Sequence, residues 1–351
     1  MAIRAFSGEL RPPGHPSNNS RYLPMNAFRF PLFLITLLAG GVVVAAETPQ
    51  WRTMDPEGRP HPRHEAAFVE CDGKFYLLGG RRIQPVDIYD PATNVWSTGR
   101  PPPVEIHHFQ PVVWRNQIIL AGAMTGEYPH ETSLPRLVIY DPATDEWSYG
   151  AEIPKDRRRG GAGSVIADGK LYLVAGIING HWDGHVAWLD TFDLETGEWQ
   201  RLPDAPHRRD HFQASVIDGK LYAGGGRRSS AKTKETFSLV EPALDIYDIA
   251  AGSWSTAAEP LPEPRAGTFS IAIEGNYLVA GGESDRQRTA HDQIHAYDPL
   301  ARGWTEWPKF VRGRHGAGII YFKGALYTCG GSGNRGGSPE LDSIERLQPY
   351  P

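Results

Sequence analysis

Short apolar runs recur along the chain about every 50 residues, and each run ends in small residues. Leu77-Leu78-Gly79-Gly80 is the clearest example. In three of the repeats an Asp-Gly pair stands a few residues ahead of the run, beginning at Asp72, Asp168 and Asp218. Asp-Gly between two short strands is a strong sequence signal for a two-residue hairpin. Each such region therefore predicts two antiparallel strands, of which the second is the apolar run.

An aromatic residue followed by aspartate, and then a tryptophan, come after most of these runs. The pairs are Tyr89-Asp90, Tyr140-Asp141, Phe192-Asp193, Tyr247-Asp248 and Tyr297-Asp298. The tryptophans are Trp51, Trp96, Trp147, Trp199, Trp254 and Trp304, at spacings of 45, 51, 52, 55 and 50 residues. The pairs predict a third strand and the tryptophans a fourth. Each repeat is thus a four-stranded unit that buries its faces only against its neighbours.

The last repeat ends before any tryptophan, whereas the first tryptophan precedes the first complete repeat. Trp51 lies 12 residues before Arg63, and the equivalent distances in the other repeats are 10, 12, 10, 11 and 10 residues. The segment around Trp51 therefore predicts the missing fourth strand of the last unit. We expect an all-β fold, a six-bladed propeller over residues 47–351, whose last blade is closed by the N-terminal strand. Such closure removes free sheet edges.

The glycine doublet, the Tyr-Asp pair and the downstream tryptophan resemble the Kelch repeat. The resemblance covers residues 47–351, and six aligned copies make it specific, although the doublet is degraded in the second and third copies. It implies a six-bladed Kelch β-propeller.

The N-terminal 46 residues have the pattern of an export signal. Residues 1–24 are polar and rich in proline, which predicts a leader that is not native and translation from Met25. Arg29 then precedes an apolar run, and small residues precede Glu47, so residues 25–46 predict a signal peptide. The run is about 15 residues, short of the ~20 that span a membrane. We expect a periplasmic or secreted protein without a stable membrane anchor; an uncleaved anchor is the alternative.

Charge and cysteine content narrow the function classes. The net charge is −5, and removal of the four arginines and one glutamate before residue 47 makes it −8. This disfavours a nucleic-acid partner. Two cysteines exclude a disulfide scaffold and a four-cysteine zinc site. Because Cys71 and Cys329 occupy non-equivalent positions in different repeats, we expect free, buried thiols.

The alternation of strand direction gives the propeller two unlike faces. The starts of strand 1, the ends of strand 2 and the loops between strands 2 and 3 share one face, here called the loop face. The tight turns share the other, here called the hairpin face. Eleven of the 13 histidines map to the predicted loop face. Because function tends to lie on varied loops above a rigid frame, we expect the site on the loop face.

Six triplets at the starts of strand 1, here called the axial triplets, align without gaps. They are Arg63-His64-Glu65, Ile106-His107-His108, Arg159-Gly160-Gly161, Arg209-Asp210-His211, Arg265-Ala266-Gly267 and Arg314-His315-Gly316. Strand 1 is innermost, so these residues are expected to ring the central opening. Arginine forks bind carboxylates or phosphates bidentately. The alternative for the arginines is structural, by pairing with acidic residues of a neighbouring blade or capping backbone carbonyls.

The triplets and the 2–3 loops supply the candidate site residues. The candidates for proton transfer are Glu65, His108, Asp210 and His211. The candidates for substrate binding are His64, His107, Arg159, Arg209, Arg227, Arg265, Arg314, His315, Tyr128, His130, Trp182 and Glu283. Aromatic faces suit the C–H surfaces of a sugar and the polar groups suit its hydroxyls, a composition general to ligand pockets.

The first functional hypothesis is therefore an exported propeller that acts on or binds a carbohydrate. Among Kelch propellers the chain resembles, in export and architecture, the bacterial sialic-acid epimerase (mutarotase) group. That resemblance implies an acidic sugar held by an arginine, with an acid and a base beside its ring. None of that group's catalytic residues can be matched to a position here.

Two alternatives remain open from the residues. One is a glycan- or protein-binding module without catalysis, since Kelch propellers commonly bind partners through this face. The other is a lyase or hydrolase for an acidic polysaccharide, assisted by histidine or by a metal. Three converging imidazoles with an open position would bind zinc or a similar ion, and His64, His107, His108, His211 and His315 are the candidates. Because the sequence fixes no distances, no residue is assigned as a metal ligand and the cofactor is unknown.

Overall fold

The computed structural model describes residues 48–348, so the predictions of a leader at 1–24 and a signal peptide at 25–46 fall outside the described residues. The described chain forms six four-stranded antiparallel sheets. The innermost strand of each sheet contacts the innermost strands of two neighbours, and these contacts close into a ring. The prediction of an all-β, six-bladed propeller is confirmed. Over this range no helix is long and apolar enough to cross a membrane.

The first strand, β1 (Gln50–Thr53), belongs to the last blade. Blade 1 consists of β2 (Ala66–Cys71), β3 (Lys74–Gly79), β4 (Val86–Asp90) and β5 (Val95–Gly99). Blade 2 consists of β6 (Gln110–Trp114), β7 (Gln117–Ala121), β10 (Arg136–Asp141) and β11 (Glu146–Glu152), with a ribbon of β8 (Met124–Thr125) and β9 (Thr132–Ser133) in its 2–3 loop. Blade 3 consists of β12 (Gly163–Ala167), β13 (Lys170–Val174), β16 (Leu189–Asp193) and β17 (Trp199–Leu202), with a ribbon of β14 (Ile177–Asn179) and β15 (Asp183–His185).

The remaining blades carry no such ribbon. Blade 4 consists of β18 (Ala214–Ile217), β19 (Lys220–Ala223), β20 (Asp245–Asp248) and β21 (Ser253–Thr256). Blade 5 consists of β22 (Phe269–Ile273), β23 (Asn276–Ala280), β24 (Ile294–Asp298) and β25 (Gly303–Trp307). Blade 6 consists of β26 (Gly318–Phe322), β27 (Ala325–Cys329), β28 (Ile344–Gln348) and β1. Within residues 48–348, one 3-10 turn, Lys155–Arg157, lies between blades 2 and 3.

The ring closes through the N-terminal strand, as the sequence predicts. β1 pairs antiparallel with β28, so that Trp51 lies opposite Leu347. Trp51 is buried, and its indole N–H donates to the carbonyl of Pro308 at 3.0 Å. The repeat tryptophans Trp147, Trp199, Trp254 and Trp304 donate in the same way to carbonyls of the preceding blade's outer end. The tryptophans therefore tie the outer edges of neighbouring blades together.

The glycine doublets allow neighbouring blades to approach closely at the loop face. Gly79 has φ +71°, and a Cβ there would lie 2.6 Å from the carbonyl oxygen of Ile106 in the next blade. At Gly281, with φ +60°, a Cβ would lie 2.4 Å from the carbonyl oxygen of Arg314. Both contacts are shorter than a side chain permits, so the doublet is a requirement of blade packing.

The two cysteines are free and buried, as expected. Burial raises the pKa of Cys71 to about 11 and that of Cys329 to about 12. Both thiols therefore stay protonated at neutral pH and are poor nucleophiles.

Candidate functional site

A ring of backbone hydrogen bonds surrounds the propeller axis at the third residue of each axial triplet. These residues are Glu65, His108, Gly161, His211, Gly267 and Gly316, and all have φ between 53° and 63°. Each of the five later residues donates its N–H to the carbonyl of the third residue in the preceding blade, and Ala66 closes the ring by donating to Gly316. The left-handed conformation is thus shared by all six blades.

Three blades carry glycine in this ring, and three carry a charged or titratable side chain. Glycine adopts positive φ freely, whereas other residues are disfavoured there. Glu65, His108 and His211 adopt this disfavoured conformation in the three blades where the position is not glycine. Backbone strain of this kind concentrates at functional sites. These three side chains are therefore the first candidates for function at the axis.

The arginines of the axial triplets lie inside the blades. Arg159, Arg209, Arg265 and Arg314 have no exposed surface. Each donates a hydrogen bond to the backbone carbonyl of the residue 16 positions later in the chain. The acceptors are Ala175, Gly225, Gly281 and Gly330. The prediction that these four arginines contact substrate is wrong, because their guanidinium groups are consumed within the fold. Arg63 is bonded in the same way to Gly79.

The partners of these arginines follow the repeat. Asp87, Asp190, Asp245 and Glu345 bind Arg63, Arg159, Arg209 and Arg314, each within strand 3 of the same blade. In blade 5 the equivalent residue is His295, whose Nδ1 lies 3.2 Å from Arg265 Nη1. In blade 2 the positions of the arginine and its acidic partner are both apolar. They are occupied by Ile106 and Val138, which belong to the same core cluster. The expected capping of backbone carbonyls is thus correct, whereas the acidic partner lies in the same blade and not, as expected, in a neighbouring one.

A cavity of ≈490 Å³ opens on the loop face above the axis. Six of the predicted site residues line it: His64, Glu65, His108, Tyr128, Arg227 and Glu283. Its lining also includes six residues that are not among the predicted site residues: Arg81, Glu105, Glu127, His181, Thr236 and Phe237. A narrow channel of ≈30 Å³ lined by Glu65, His108 and His211 lies on the axis.

A second cavity of ≈670 Å³ lies between blades 6 and 1 on the hairpin face. It is larger, but its described lining holds no cluster of buried histidine or carboxylate side chains. Its lining contains Arg52, Asp55 and Arg346 together with Met54 and residues of the outer strands. The loop-face cavity is therefore the better candidate for a functional site.

Three histidines from three blades meet between the cavity and the axial channel. The ring centroids of His108, His181 and His211 are 4.5, 4.6 and 5.0 Å apart, close to an equilateral triangle. His181 Nε2 lies 2.9 Å from His211 Nε2. All three rings are buried. We call these three residues the imidazole triad.

Loop packing places His181 in the triad. It lies at the tip of the β14–β15 ribbon, where its N–H donates to the carbonyl of Pro129 at 2.9 Å. A Cβ at the neighbouring Gly180 would lie 2.5 Å from the backbone nitrogen of Glu131, so glycine is needed for this approach. The ribbon of blade 3 is therefore held against the loop of blade 2, which orients His181 toward the axis.

Each triad ring has a polar partner on its Nδ1 side. His211 Nδ1 forms a short hydrogen bond with Asp210. His181 Nδ1 lies 2.8 Å from Glu131 Oε1. His108 Nδ1 lies 2.6 Å from His107 Nδ1. The Nε2 atoms are consequently free to face one another.

Burial favours the uncharged form of His108 and His181. It lowers the pKa of His108 well below its ordinary value, and His211 and His107 lower it further. Burial also lowers the pKa of His181, although Glu131 opposes that shift. The pKa of His107 falls to about 4, because of burial and then the charge of Arg81. Neutral imidazoles each present one nitrogen lone pair.

A carboxylate cluster lies beside the triad. Glu65 Oε2 is 3.3 Å from His108 Nε2, and Glu65 Oε1 is 3.7 Å from His315 Nδ1. Glu283 Oε2 is 3.4 Å from His315 Nε2, and its other oxygen binds Arg227. Burial opposes ionisation of Glu283, but His315 and Arg227 together hold its pKa at about 2. Glu283 is thus ionised at neutral pH.

Several predicted site residues lie away from the cavity. Asp210 has no exposed surface, and its carboxylate accepts hydrogen bonds from His211 and from Ser229, so it positions other groups. The prediction that it transfers a proton to a ligand is wrong for that reason. His107 is buried behind His108. His130 and Trp182 contact each other outside the cavity lining, with ring centroids 4.7 Å apart and the planes tilted by 40°.

Comparison with known proteins relates the chain to β-propellers. A family model described as the Attractin/LZTR1 β-propeller matches residues 41–286. The Kelch-like protein terF of Aspergillus terreus is 28% identical over 323 residues, covering 85% of this chain and 69% of that protein. Human Kelch-like protein 23 is 24% identical over 294 residues, covering 82% of this chain and 49% of that protein.

The same comparison includes solved structures. The structure of YjhT superposes with a TM-score of 0.68 at 15% identity, covering 83% of this chain and 96% of that one. At that identity the likeness concerns the fold alone. Over the aligned regions, this chain spans about half the length of the human relative and about two thirds of the fungal one.

Proposed function

This chain belongs to the Attractin/LZTR1 β-propeller family, and we propose that it is an exported propeller whose loop-face cavity binds a hydroxyl-rich ligand of the carbohydrate class. The observation that carries the proposal is the composition of the ≈490 Å³ cavity. Tyr128 and Phe237 offer aromatic surface for C–H groups, while Glu65, Arg227 and Thr236 offer partners for hydroxyls. Cavities of this size with few convergent polar groups suit small ligands.

The charges of the cavity favour a neutral ligand over an acidic sugar. The lining contains two arginines and four glutamates. Arg81 is paired with Glu131, and Arg227 is paired with Glu283. A sugar carboxylate would have to displace one of these pairs at the cost of leaving a buried glutamate unpaired. The expected arginine clamp is therefore no part of the proposal.

Glu65 is the candidate for proton transfer to a ligand. Its side chain is about a tenth exposed and borders the cavity, whereas Asp210 does not. Isomerisation at an anomeric carbon needs an acid and a base within hydrogen-bond reach of the ring oxygen and hydroxyl. In mutarotation of a neutral sugar, Glu65 would supply one of these two groups.

A glycan array tests the proposal, with matched tyrosine variants. Tyr128 is 54% exposed at the cavity, and Tyr149 is 49% exposed on β11, away from it. We expect binding of neutral glycans, reduced about tenfold by Tyr128→Ala, since aromatic–sugar contact of ~1.4 kcal/mol corresponds to that factor, and unchanged by Tyr149→Ala. An array without hits, or equal losses in both variants, would contradict the proposal.

Export is the second part of the proposal and is tested separately. It rests on the signal-peptide pattern of residues 25–46. Expression of the full chain in a bacterial host should yield a periplasmic form whose N-terminal residue is Glu47. A protein retained in the cytoplasm with residues 25–46 intact would contradict it.

A protein partner is a second candidate function, because apolar side chains are exposed on adjacent 2–3 loops. Ile83, Tyr128 and Ile178 are 55%, 54% and 44% exposed, in blades 1, 2 and 3. Apolar surface of this kind on loops is common at interaction sites. Crosslinking in a cell-envelope extract should capture a partner that Ile178→Asp loses and Leu300→Asp keeps, since Leu300 lies in a turn of the hairpin face. Equal capture by both variants would contradict this candidate.

A further inference from the structure

We propose that His108, His181 and His211 form a binding site for a divalent transition-metal ion of the zinc class, with the three Nε2 atoms as ligands and a further position open to the cavity. Zinc sites with three protein ligands keep such a position for water or substrate. The ring centroids lie 4.5–5.0 Å apart. The site does not depend on which ligand the cavity binds.

The tautomers of the rings can be deduced from their partners. His107 Nε2 lies 3.1 Å from the carbonyl oxygen of Gly126, so it carries the proton and donates. His107 Nδ1 is then an acceptor, and His108 Nδ1 must donate to it. His108 Nε2 is left as a bare lone pair. It is buried and has no hydrogen-bond partner.

The other two rings have the same tautomer. His211 Nδ1 donates to the carboxylate of Asp210, and His181 Nδ1 faces the carboxylate of Glu131 at 2.8 Å. Their Nε2 atoms are therefore also lone pairs, although they lie only 2.9 Å apart. Two facing lone pairs repel each other unless a cation lies between them. A single proton would satisfy this pair but would leave His108 Nε2 unpartnered.

The dimensions suit a metal ion. Tetrahedral zinc with Zn–N bonds of about 2.05 Å places its ligand nitrogens about 3.3 Å apart. The observed 2.9 Å between His181 Nε2 and His211 Nε2 needs only a small outward movement of the rings. A candidate ligand atom of each of the three histidines lies within 4.8 Å of those of the other two.

The surroundings of the triad are those of a metal site. Metal-binding histidines usually donate their other ring N–H to a carboxylate or a similar acceptor, which fixes the ring and raises its basicity. Asp210 has this relationship to His211, and Glu131 Oε1 lies 2.8 Å from His181 Nδ1, at ion-pair distance but without hydrogen-bond geometry. Glu131 is also bound by Arg81, and Asp210 by Ser229. The outer carboxylates are therefore fixed independently of the triad.

Glu65 stands beside the open position. Its Oε2 lies 3.3 Å from His108 Nε2, on the cavity wall. A zinc-bound water has a pKa of about 7, far below that of free water. Glu65 is therefore in place to accept a proton from a water bound at the open position.

Metal analysis of the full chain, purified without a polyhistidine tag, tests the site. After treatment with a chelator, the protein is dialysed against Zn²⁺ and its metal is measured by plasma emission. We expect about one zinc per chain in the wild type and below about a tenth in His181→Gln and His211→Gln. His291→Gln is the matched control, because His291 is equally buried on the loop face but outside the triad.

A further variant distinguishes the triad from the neighbouring cluster of Glu65, Glu283 and His315, whose ligand atoms also lie within 4.8 Å of one another. His315→Gln should keep its zinc. Circular dichroism establishes that each variant is folded. The melting temperatures of the wild type, His291→Gln and His315→Gln should rise when Zn²⁺ is added after chelation, whereas those of His181→Gln and His211→Gln should not. Metal retained by His181→Gln and lost by His315→Gln would overturn the proposal, as would a wild type that binds no zinc.

Discussion

His181 Nε2 lies 2.9 Å from His211 Nε2, although the two residues belong to different blades and to different kinds of segment. His211 is in the ring of backbone hydrogen bonds around the axis, and His181 is at the tip of a loop ribbon. The rigid ring supplies two members of the triad, and a loop of blade 3 packed against the preceding blade supplies the third. Both kinds of segment must hold their places for the site to exist.

The side chains that replace glycine in the axial ring should lower the free energy of unfolding of the protein. In metal-free protein, His108→Gly removes a residue at φ +54° and an unpartnered buried nitrogen. Left-handed backbone costs about 1–2 kcal/mol for a residue other than glycine, so we expect urea denaturation to show equal or slightly higher stability. Gly161→Ala is the converse change at φ +60° and should lower the free energy of unfolding by about 1 kcal/mol or more. A His108→Gly variant that is strongly destabilised would contradict this account.

The carboxylate of Asp210, which is hydrogen-bonded to His211, should raise the metal affinity of the triad without contacting the metal. Asp210→Asn keeps the shape of the side chain but removes its charge. Loss of such an outer partner typically reduces metal affinity 10–100-fold. Competition with a chromophoric chelator measures this change, and the Zn²⁺ stoichiometry at saturation should stay at that of the wild type. Unchanged affinity would show that Asp210 supports only the fold.

Because His295 lies beside Arg265 in blade 5, the free energy of unfolding should fall as the pH is lowered. Burial, and then the charge of Arg265, lowers the pKa of His295 from 6.5 to about 4. Between these values the unfolded chain binds the proton and the folded chain does not, so stability is full above pH 6.5 and falls as the pH drops toward 4. Protonation of His295 should lower the free energy of unfolding by at most about 3 kcal/mol.

His295→Asp tests that prediction by restoring the acid found in four other blades. The variant should show a shallower loss of stability between pH 6.5 and 4 than the wild type, measured by urea denaturation of chelator-treated protein. An identical slope in both proteins would mean that His295 does not titrate with unfolding.

The N-terminal strand should be essential to the last blade. Trp51 is 2% exposed and lies edge-on to Phe310 at 4.7 Å. Trp→Ala changes in cores cost about 3–5 kcal/mol, and Trp51→Ala should lower the melting temperature accordingly. Tyr149→Ala, on an exposed outer strand, is the control and should change it little. Equal effects of the two changes would contradict the closure by β1.

The sequence predicted the fold well because its signals are local and repeated. Asp72 and Gly73 both have positive φ, as a hairpin of this type requires. Trp51 precedes the first complete repeat, and the last repeat has no tryptophan. These two facts were enough to locate the strand that closes the last blade. The alignment of the axial triplets also placed His108 and His211 at the axis, since no insertion separates the triplets from their strands.

The sequence was less informative about where side chains point. The axial arginines were predicted to face the opening, but the first residue of each triplet points into its blade while the third faces the axis. The glycines at 161, 267 and 316 were a usable signal of the left-handed ring that sets these directions. His181 is one of the eleven histidines that map to the loop face, but it is not among the predicted site residues, because the packing of the β14–β15 ribbon against blade 2 depends on contacts that spacing does not reveal.

The most direct test of the central claim, a metal ion held by three blades at the axis, is anomalous X-ray diffraction at the zinc edge from crystals of the protein grown with Zn²⁺. The account predicts one strong peak about 2 Å from the Nε2 atoms of His108, His181 and His211. A peak between Glu65, Glu283 and His315 instead, or none near the axis, would contradict it.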